Sequence, residues 1–269
     1  TLQFPSKKNP SRTFLAWTTT PWTLPGNMAL AVNPNIEYAL VEQDGKEFVL
    51  AKELVGKYFP ANPKIKKTIL GRELVGEEYS PPFDTYVHAP ANAKLKGEKW
   101  KVLNAAFVTT TDGTGIVHIA PGFGEDDYQL GKEKGIAFVQ HVKEDGTFTP
   151  EMGELAGKAA LKSNGEIISQ LKAKELLFKE EKYSHEYPFC WRCNTPLIYY
   201  SIKSWFIDVS KHRHKLVFHN DAIHWEPEHI KEGRFGEWIT NAKDWALSRK
   251  RYWGTPLPLW KCTKCAHVT

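Results

Sequence analysis

The 269 residues read as an α+β chain, with a mostly-β, barrel-like first part and a mixed, helix-richer second part. Three observations carry that reading. Over roughly the first 160 residues, short apolar runs alternate with turn signals. Two of these runs flank Gln43-Asp44-Gly45-Lys46, a strong hairpin signal. From Asn164 onward, Ile167, Ile168, Leu171, Leu176 and Leu177 recur mostly at helix-compatible steps amid lysines and glutamates. Many short strands closing on one another, with few helices, suggest a barrel-like α+β domain. No internal repeat or low-complexity tract interrupts the chain.

Taken in order, Phe14 to Trp17 predicts a strand entering Thr18-Thr19-Thr20-Pro21-Trp22-Thr23. Tyr38 to Glu42 and Glu47 to Ala51 predict the hairpin, Lys52 to Tyr58 a short helix, and Asn92 to Lys101 a polar excursion. Leu103 to Val108 and Ile116 to Ile119, around Asp112-Gly113-Thr114-Gly115, predict a central hairpin that carries His118. Ala120-Pro121-Gly122-Phe123-Gly124 breaks the strand, and Tyr128 to Lys134 predicts a helix closed by Gly135. Ala137 to Val142 predicts another strand, and 164–182 a helix. Tyr183 to Trp205, aromatic and proline-bearing, fits a connecting stem. His229 to Asn241 predicts a helix with Trp238 and Ile239 on its buried side. Ala246-Leu247-Ser248 begins a final strand closed by Trp253-Gly254-Thr255-Pro256.

An apolar fraction of 41% supports a real core, and no apolar run is long enough to span a bilayer. The start, Thr1 to Pro5, has neither an initiator Met nor a basic-then-apolar signal, which reads as a piece of something longer. The net charge of +5 is a mild bias compatible with a phosphate-bearing partner. Lys211 to Lys215 and Arg249-Lys250-Arg251 are local basic clusters that a solvated face explains as well. Cys190-x-x-Cys193 and Cys262-x-x-Cys265 use all four cysteines. Such spacing suits thiolate ligation of zinc rather than disulfides. About seventy residues separate the pairs, far beyond compact ribbon spacing. One joint site, two half-sites and metal-free thiols all stand open.

Two segments carry chemistry. The first places Thr18, Thr19, Thr20 and Thr23 within six residues. Where a strand ends at a proline, side chains stop alternating, so several hydroxyls can point into one cleft. Each hydroxyl offers one donor and two lone pairs without charge, suited to an ester, a ribose hydroxyl or a water. Residue types alone also fit an edge strand rich in threonine for its β-propensity. The second segment puts His118 on an apolar strand, then a glycine loop, then Glu125-Asp126-Asp127 opening a helix. A core histidine and acidic residues serving the helix dipole explain these equally simply. Gly122-x-Gly124 is a weak phosphate-loop signal that lacks the third glycine of a dinucleotide fingerprint.

Together the segments are more specific. Trp17-Thr18-Thr19-Thr20-Pro21-Trp22-Thr23-Leu24-Pro25-Gly26-Asn27 resembles the threonine-rich motif in the editing domain of isoleucyl-tRNA synthetases. Gly113 to Asp127, Gly-Thr-Gly-Ile-Val-His-Ile-Ala-Pro-Gly-Phe-Gly-Glu-Asp-Asp, resembles the other half of that pocket. Tyr187-Pro188-Phe189-Cys190-Trp191-Arg192-Cys193, Asp244-Trp245 and Ser248 to Pro256 resemble the same family where the chain re-enters its catalytic domain. The resemblance runs nearly end to end. Valyl and leucyl relatives typically have Arg-Pro where this chain has Thr20-Pro21.

The resemblance implies an editing domain at 1–183, a connecting stem at 184–205 and part of a Rossmann-like synthetic domain at 206–269. It implies hydrolysis of valyl-tRNA for isoleucine, and of valyl-adenylate, by a cytoplasmic monomer whose partners are the 3′ end of tRNA and esters of valine and isoleucine, with no membrane. An isoleucine-activating site cannot exclude valine by fit, because one methylene is worth only about 1–3 kcal/mol, a general magnitude for which isoleucine activation is itself the standard example. A second pocket must then anchor the α-ammonium, limit the side chain and order a water. By resemblance Asp127 is the anchor, a carboxylate facing a cation, and His118 limits the side chain with Thr23. Thr18, Thr19 and Thr20 hold ribose and water, and Trp17 stacks on the terminal adenine. His118 also qualifies by residue type as a general base; assistance from a tRNA ribose hydroxyl is the alternative. Editing needs no cofactor, whereas the whole synthetase uses ATP and magnesium. Neither His-x-Gly-His nor Lys-Met-Ser-Lys-Ser occurs here, so this chain is not expected to make aminoacyl-adenylate. In the family, zinc sites have halves that flank the inserted domain or lie in and beyond the return segment, which makes each Cys pair half a site. The competing reading is a zinc-bearing RNA-binding module without chemistry. An ordinary esterase would need Gly-x-Ser-x-Gly, which is absent.

Overall fold

The computed structural model describes residues 1–61, 63–88, 95–249 and 256–269, in two compact units, Thr1–Ser201 and Ile202–Thr269. In the first unit, β1 (Leu2–Pro5) and β2 (Arg12–Ala16) pair antiparallel, and β2 runs straight into the threonine cluster. Pro21 then fixes φ and removes a donor, so the chain tightens into a 3-10 turn over Pro21–Gly26. The turn ends into β3 (Ala29–Val32), four residues buried on both faces.

β4 (Glu37–Gln43) and β5 (Lys46–Ala51) form the predicted hairpin, with Asp44 and Gly45 both at positive φ, as a two-residue hairpin turn requires. The short helix follows as a 3-10 turn at Lys52–Leu54 and α1 (Val55–Tyr58), and β6 (Lys64–Leu70) returns along β4. These strands make a five-stranded sheet in the order β1-β2-β5-β4-β6.

The central hairpin does not form. β7 (Lys101–Asn104) and β8 (Ile116–Ile119) lie on opposite sides of β3, parallel to it through β7 and antiparallel through β8. The short run Ala29–Val32 takes the place between them because it can be buried on both faces, which suits a central strand. Bridges at Trp17–Val117, Ser6–Tyr79 and Glu78–Lys101 link the three-stranded sheet to the end of β2 and to the chain leaving β1. Phe4, Phe14, Leu30, Tyr38 and Phe148 are among the fully buried core side chains.

After the glycine loop, α2 (Glu125–Lys134) begins three residues earlier than Tyr128, and Gly135 ends it in the left-handed region at φ 65°. Residues 137–142 form no ladder; Ile136 bridges Glu98 and Val142 bridges Phe148 instead. The next helix, α3 (Asn164–Ala173), is shorter than the apolar pattern suggested. Leu176 and Leu177 leave it to meet β1, where the Gln3 N–H donates to the Leu176 carbonyl. Residues 174–205 carry no helix or ladder, only isolated bridges at Leu177 and between Phe189 and Pro196.

In the second unit β9 (Phe206–Ile207) precedes α4 (Arg213–Asp221), α5 (His229–Glu232), α6 (Arg234–Thr240) and β10 (Trp245–Ala246), which pairs antiparallel with β9. Gly233, at ψ −119°, breaks the single helix expected over 229–241. Ile239 is buried while Trp238 is 67% exposed, a correction with a simple cause: adjacent helical residues point about 100° apart and cannot share one face. The final strand is two residues long, and most of the segment expected to close it, Trp253 to Thr255, lies outside the described residues, as do Lys250, Arg251 and the first three residues of the polar excursion. Among the described residues no helix is long and apolar enough to cross a membrane.

Candidate active site

The end of β2, the 3-10 turn, β8 and the start of α2 converge on a cleft of about 360 Å³ in the first unit. Trp17, Thr18, Thr19, Thr20, Thr23, His118 and Asp127 all line it. Two stretches about a hundred residues apart in sequence are thus brought together by one sheet, with β8 running beside both β3 and the end of β2.

The turn that carries Thr23 is pinned from several sides. The Thr20 carbonyl accepts from the Thr23 N–H at 3.0 Å and from its hydroxyl at 2.8 Å. The Trp22 N–H donates to Asn164 Oδ1 at the start of α3, and His141 Nε2 donates to the Trp22 carbonyl at 2.9 Å. His141 is fully buried, stacks on Phe148 and meets the edge of Phe123, another residue of the cleft wall.

His118 is buried, and both its ring nitrogens are engaged. Nε2 lies 2.9 Å from Thr23 Oγ1, and Nδ1 lies 3.0 Å from Asn27 Nδ2. Burial, and secondarily the neighbouring His141, push its pKa down to about 3, so the imidazole is neutral near pH 7. A ring that already uses both nitrogens has no free lone pair with which to take a proton from water. It lines the cleft as a neutral ring.

Asp127 stands on the first turn of α2 but turns out of the helix, and its Oδ2 accepts from the Ala120 N–H at 2.7 Å. Burial raises its pKa to about 6, against the lowering effect of that hydrogen bond. Among the described residues no lysine, arginine or histidine forms an ion pair with it. A half-desolvated carboxylate without a protein cation is suited to receive one from a ligand. Asp126 is exposed and does not line the cleft.

Thr18 Oγ1 accepts from the Thr20 N–H at 3.0 Å and lies 3.3 Å from Thr20 Oγ1, which lies 3.3 Å from Thr23 Oγ1. Three of the hydroxyls therefore form one contiguous polar strip. Trp17 packs on Gly113, whose φ of +69° favours glycine and where a Cβ would come within 3.2 Å of the indole. Its edge meets Tyr183 at 5.0 Å between ring centroids. Phe107, Thr109, Asp112 and Thr114 complete the rim, residues that the sequence marks only by the turn at 112–115 and, for Thr114, by the segment that it opens. Being polar or aromatic residues beside a predicted turn, they carried no signal apart from their neighbourhood.

The cysteines are not at this cleft. The two pairs adopt the same local geometry: Cys190 N donates to the Thr195 carbonyl and Cys262 N to that of His267, while Asn194 N and Ala266 N return to the carbonyls of Cys190 and Cys262. Asn194 and Ala266 are both at positive φ, near +53° and +59°. Hydrogen bonding lowers the Cys193 thiol, chiefly through Thr195, and the Cys262 thiol, chiefly through the Cys265 backbone, a direction that favours thiolate. Each knuckle presents two sulfur ligands where zinc takes four, and among the described residues no three His, Cys, Asp or Glu side chains gather as a metal site.

The family profile of the tRNA synthetases class I (I, L, M and V) matches residues 19–269. The chain belongs to the class I tRNA synthetases. Its curated relatives include the isoleucine–tRNA ligase of Thermoplasma acidophilum, 46% identical over 97% of this chain, and isoleucine–tRNA ligase 2 of Pseudomonas fluorescens, 44% identical over 99%. The chain spans about a quarter of the length of each, 25%. Among solved structures, the leucyl enzyme segment GlLeuRS-CP1 is 14% identical, covers 65% of this chain and 85% of its own, and superposes at a TM-score of 0.48, too distant to inform the site of this synthetase chain.

Proposed function

We propose that the cleft is the editing site of an isoleucine–tRNA ligase: it hydrolyses valine from mischarged tRNA for isoleucine, and from valyl-adenylate, and spares isoleucine. The observation that carries the proposal is the convergence of the threonine strip, the neutral His118 and the unpaired Asp127 on one cleft. Asp127 receives the α-ammonium, a charge-assisted contact in a partly desolvated site. His118 and Thr23 form the wall against which one extra methylene clashes. Thr18, Thr19 and Thr20 hold the terminal ribose and a water, and Trp17 offers its free surface to the terminal adenine. With His118 neutral and doubly engaged, and the Asp127 carboxylate committed to the ammonium, no side chain is left to act as the base; a ribose hydroxyl beside the ester orients the water.

The same reading makes residues 1–183 the editing domain, with the bridges between its two sheets giving a barrel-like closure, 184–205 a stem, and 206–269 part of a Rossmann-like synthetic domain. The whole ligase would join isoleucine to tRNA with ATP and magnesium, and tRNA is the partner of both activities. The matched Cys knuckles support a second role, as half-sites for zinc whose remaining ligands lie elsewhere in the synthetase, and they also favour the one rival reading, a zinc-bearing tRNA-binding module without hydrolysis. Incubating the chain with valyl- and isoleucyl-charged tRNA for isoleucine decides between them. Selective release of valine supports editing; no release of either by folded protein supports the binding module.

A further inference from the structure

The hydrogen bonds behind His118 admit only one arrangement of protons. Asn27 is buried, and its Nδ2 lies 3.0 Å from the Ala29 carbonyl oxygen, which can only accept. That contact fixes which end of the amide is nitrogen. The second Nδ2 hydrogen then points at His118 Nδ1, which must be the unprotonated nitrogen. In a neutral imidazole the proton is therefore on Nε2, which donates to Thr23 Oγ1. Thr23 spends its own hydrogen on the Thr20 carbonyl, so Thr20 Oγ1 can approach Thr23 only as a donor. The remaining atom is Asn27 Oδ1, and it accepts from the Tyr79 hydroxyl at 2.6 Å.

Tyr79 is fully buried, its ring set edge-on against Phe4 at 5.5 Å and its N–H bonded to the Trp100 carbonyl. It does not line the cleft. An amide can rotate by half a turn at little steric cost, and the Tyr79 hydroxyl adds to the Ala29 contact in opposing it: reversal would set Oδ1 against the Ala29 carbonyl and take from the buried Tyr79 hydrogen the acceptor it now has, its oxygen accepting from the amide N–H instead.

We infer that Tyr79 is a positioning residue of this site: through Asn27 it locks His118 in the Nε2–H tautomer, and so sets both the rigidity of the wall and the direction in which the threonine hydroxyls point. The inference rests on the editing reading for its effect on discrimination, but not for the tautomer itself. With Thr20 donating inward to Thr23, the strip turns lone pairs toward the cleft. That polarity suits hydroxyl and ammonium donors of a ligand, namely water, ribose and the amino group, and not its carbonyl oxygen.

The test uses the whole chain labelled with ¹⁵N-histidine. Long-range ¹H–¹⁵N spectra of the wild type should show His118 with Nε2 protonated and Nδ1 unprotonated from pH 5 to pH 8, values chosen to bracket about 6.5, the ordinary imidazole pKa. Tyr79→Phe keeps the ring and removes the hydroxyl; it should populate the second tautomer. On valyl- against isoleucyl-tRNA its selectivity should fall by about tenfold, the order that hydrogen-bond partners behind metal-bound histidines contribute. An Nδ1–H tautomer in the wild type overturns the inference without any variant, and so does a Tyr79→Phe protein with an unchanged tautomer. If the tautomer shifts while neither ester is cleaved by the wild type, the editing reading fails and the positioning role stands. Should Tyr79→Phe not fold, Asn27→Asp serves instead: a carboxylate cannot donate, so His118 must then carry its proton on Nδ1, and persistence of the Nε2–H form alone would refute the relay.

Discussion

Replacing His118 by alanine separates a wall from a base. The substitution removes a ring that contributes two hydrogen bonds, to Thr23 and Asn27, and leaves one Asn27 N–H without its partner. An abandoned buried donor costs about 1–3 kcal/mol. Since His118 borders an open cleft, water can enter and satisfy that N–H, which puts the cost at the lower end. For a unit of this size each kcal/mol lowers Tm by about 2–4 °C, so a loss of a few degrees is expected and the protein remains folded. If His118 only limits the pocket, isoleucine gains entry. The discrimination it can forfeit is that of one methylene, about 10–200-fold, and valyl hydrolysis should fall much less, because Asp127 and the threonines are untouched. Were His118 a general base, both esters would lose about 10²–10⁴-fold together. Initial rates of deacylation on the two charged tRNAs, measured for wild type and His118→Ala with melting curves for both, give the answer. A parallel loss on both substrates would refute the wall.

Asp127→Asn should raise KM for valyl-tRNA strongly with the fold intact, while Asp126→Ala leaves hydrolysis unchanged; the reverse pattern in steady-state kinetics would move the anchor by one residue. Because Asp127 must be ionised to hold a cation and its pKa is raised to about 6, KM should climb as pH falls through that value, and no inflection should appear near the ordinary histidine pKa, since His118 titrates near 3. The stability of the empty protein follows opposite signs for these groups. His118 and His141, with folded pKa values pushed down to about 3 and 4, contribute stability that is complete above the unfolded histidine value and lost as pH drops below about 6.5. Asp127, with its pKa raised, instead favours the fold at low pH and withdraws that support as pH rises toward 6. Urea midpoints at pH 7 and pH 5 should show the two histidines dominating, with a lower midpoint at pH 5. Removing metal with a chelator should leave deacylation unchanged, because no cysteine borders the cleft; a rate that collapses on chelation and returns with zinc would contradict this.

The residues that meet at the cleft were legible because they sit in two dense local patterns, Thr18 to Thr23 and His118 to Asp127. That Asp127 rather than Asp126 enters the cleft is fixed by α2, whose first turn points residue 127 back toward Ala120. What stayed hidden were partners supplied by tertiary structure. Tyr79 lies between β1 and β7 on a segment with a single bridge to each side, and nothing in a lone buried tyrosine announces a partner 52 residues away. Asn27 stood in plain view at the end of the threonine motif, but its role needs the His118 ring beside it. The expected central hairpin does not form because Ala29–Val32, a run of only four apolar residues directly after a turn, takes the middle position between β7 and β8. Residues 137–142 looked like a strand because Val139 and Val142 are core residues; their backbones find partners one at a time rather than in a ladder.

The most direct measurement is deacylation by the chain itself of tRNA for isoleucine charged with valine and, separately, with isoleucine. Valine should be released and isoleucine retained, with the preference abolished by loss of the Asp127 carboxylate. Equal release of both amino acids, or release of neither by a protein shown to be folded, would contradict the account.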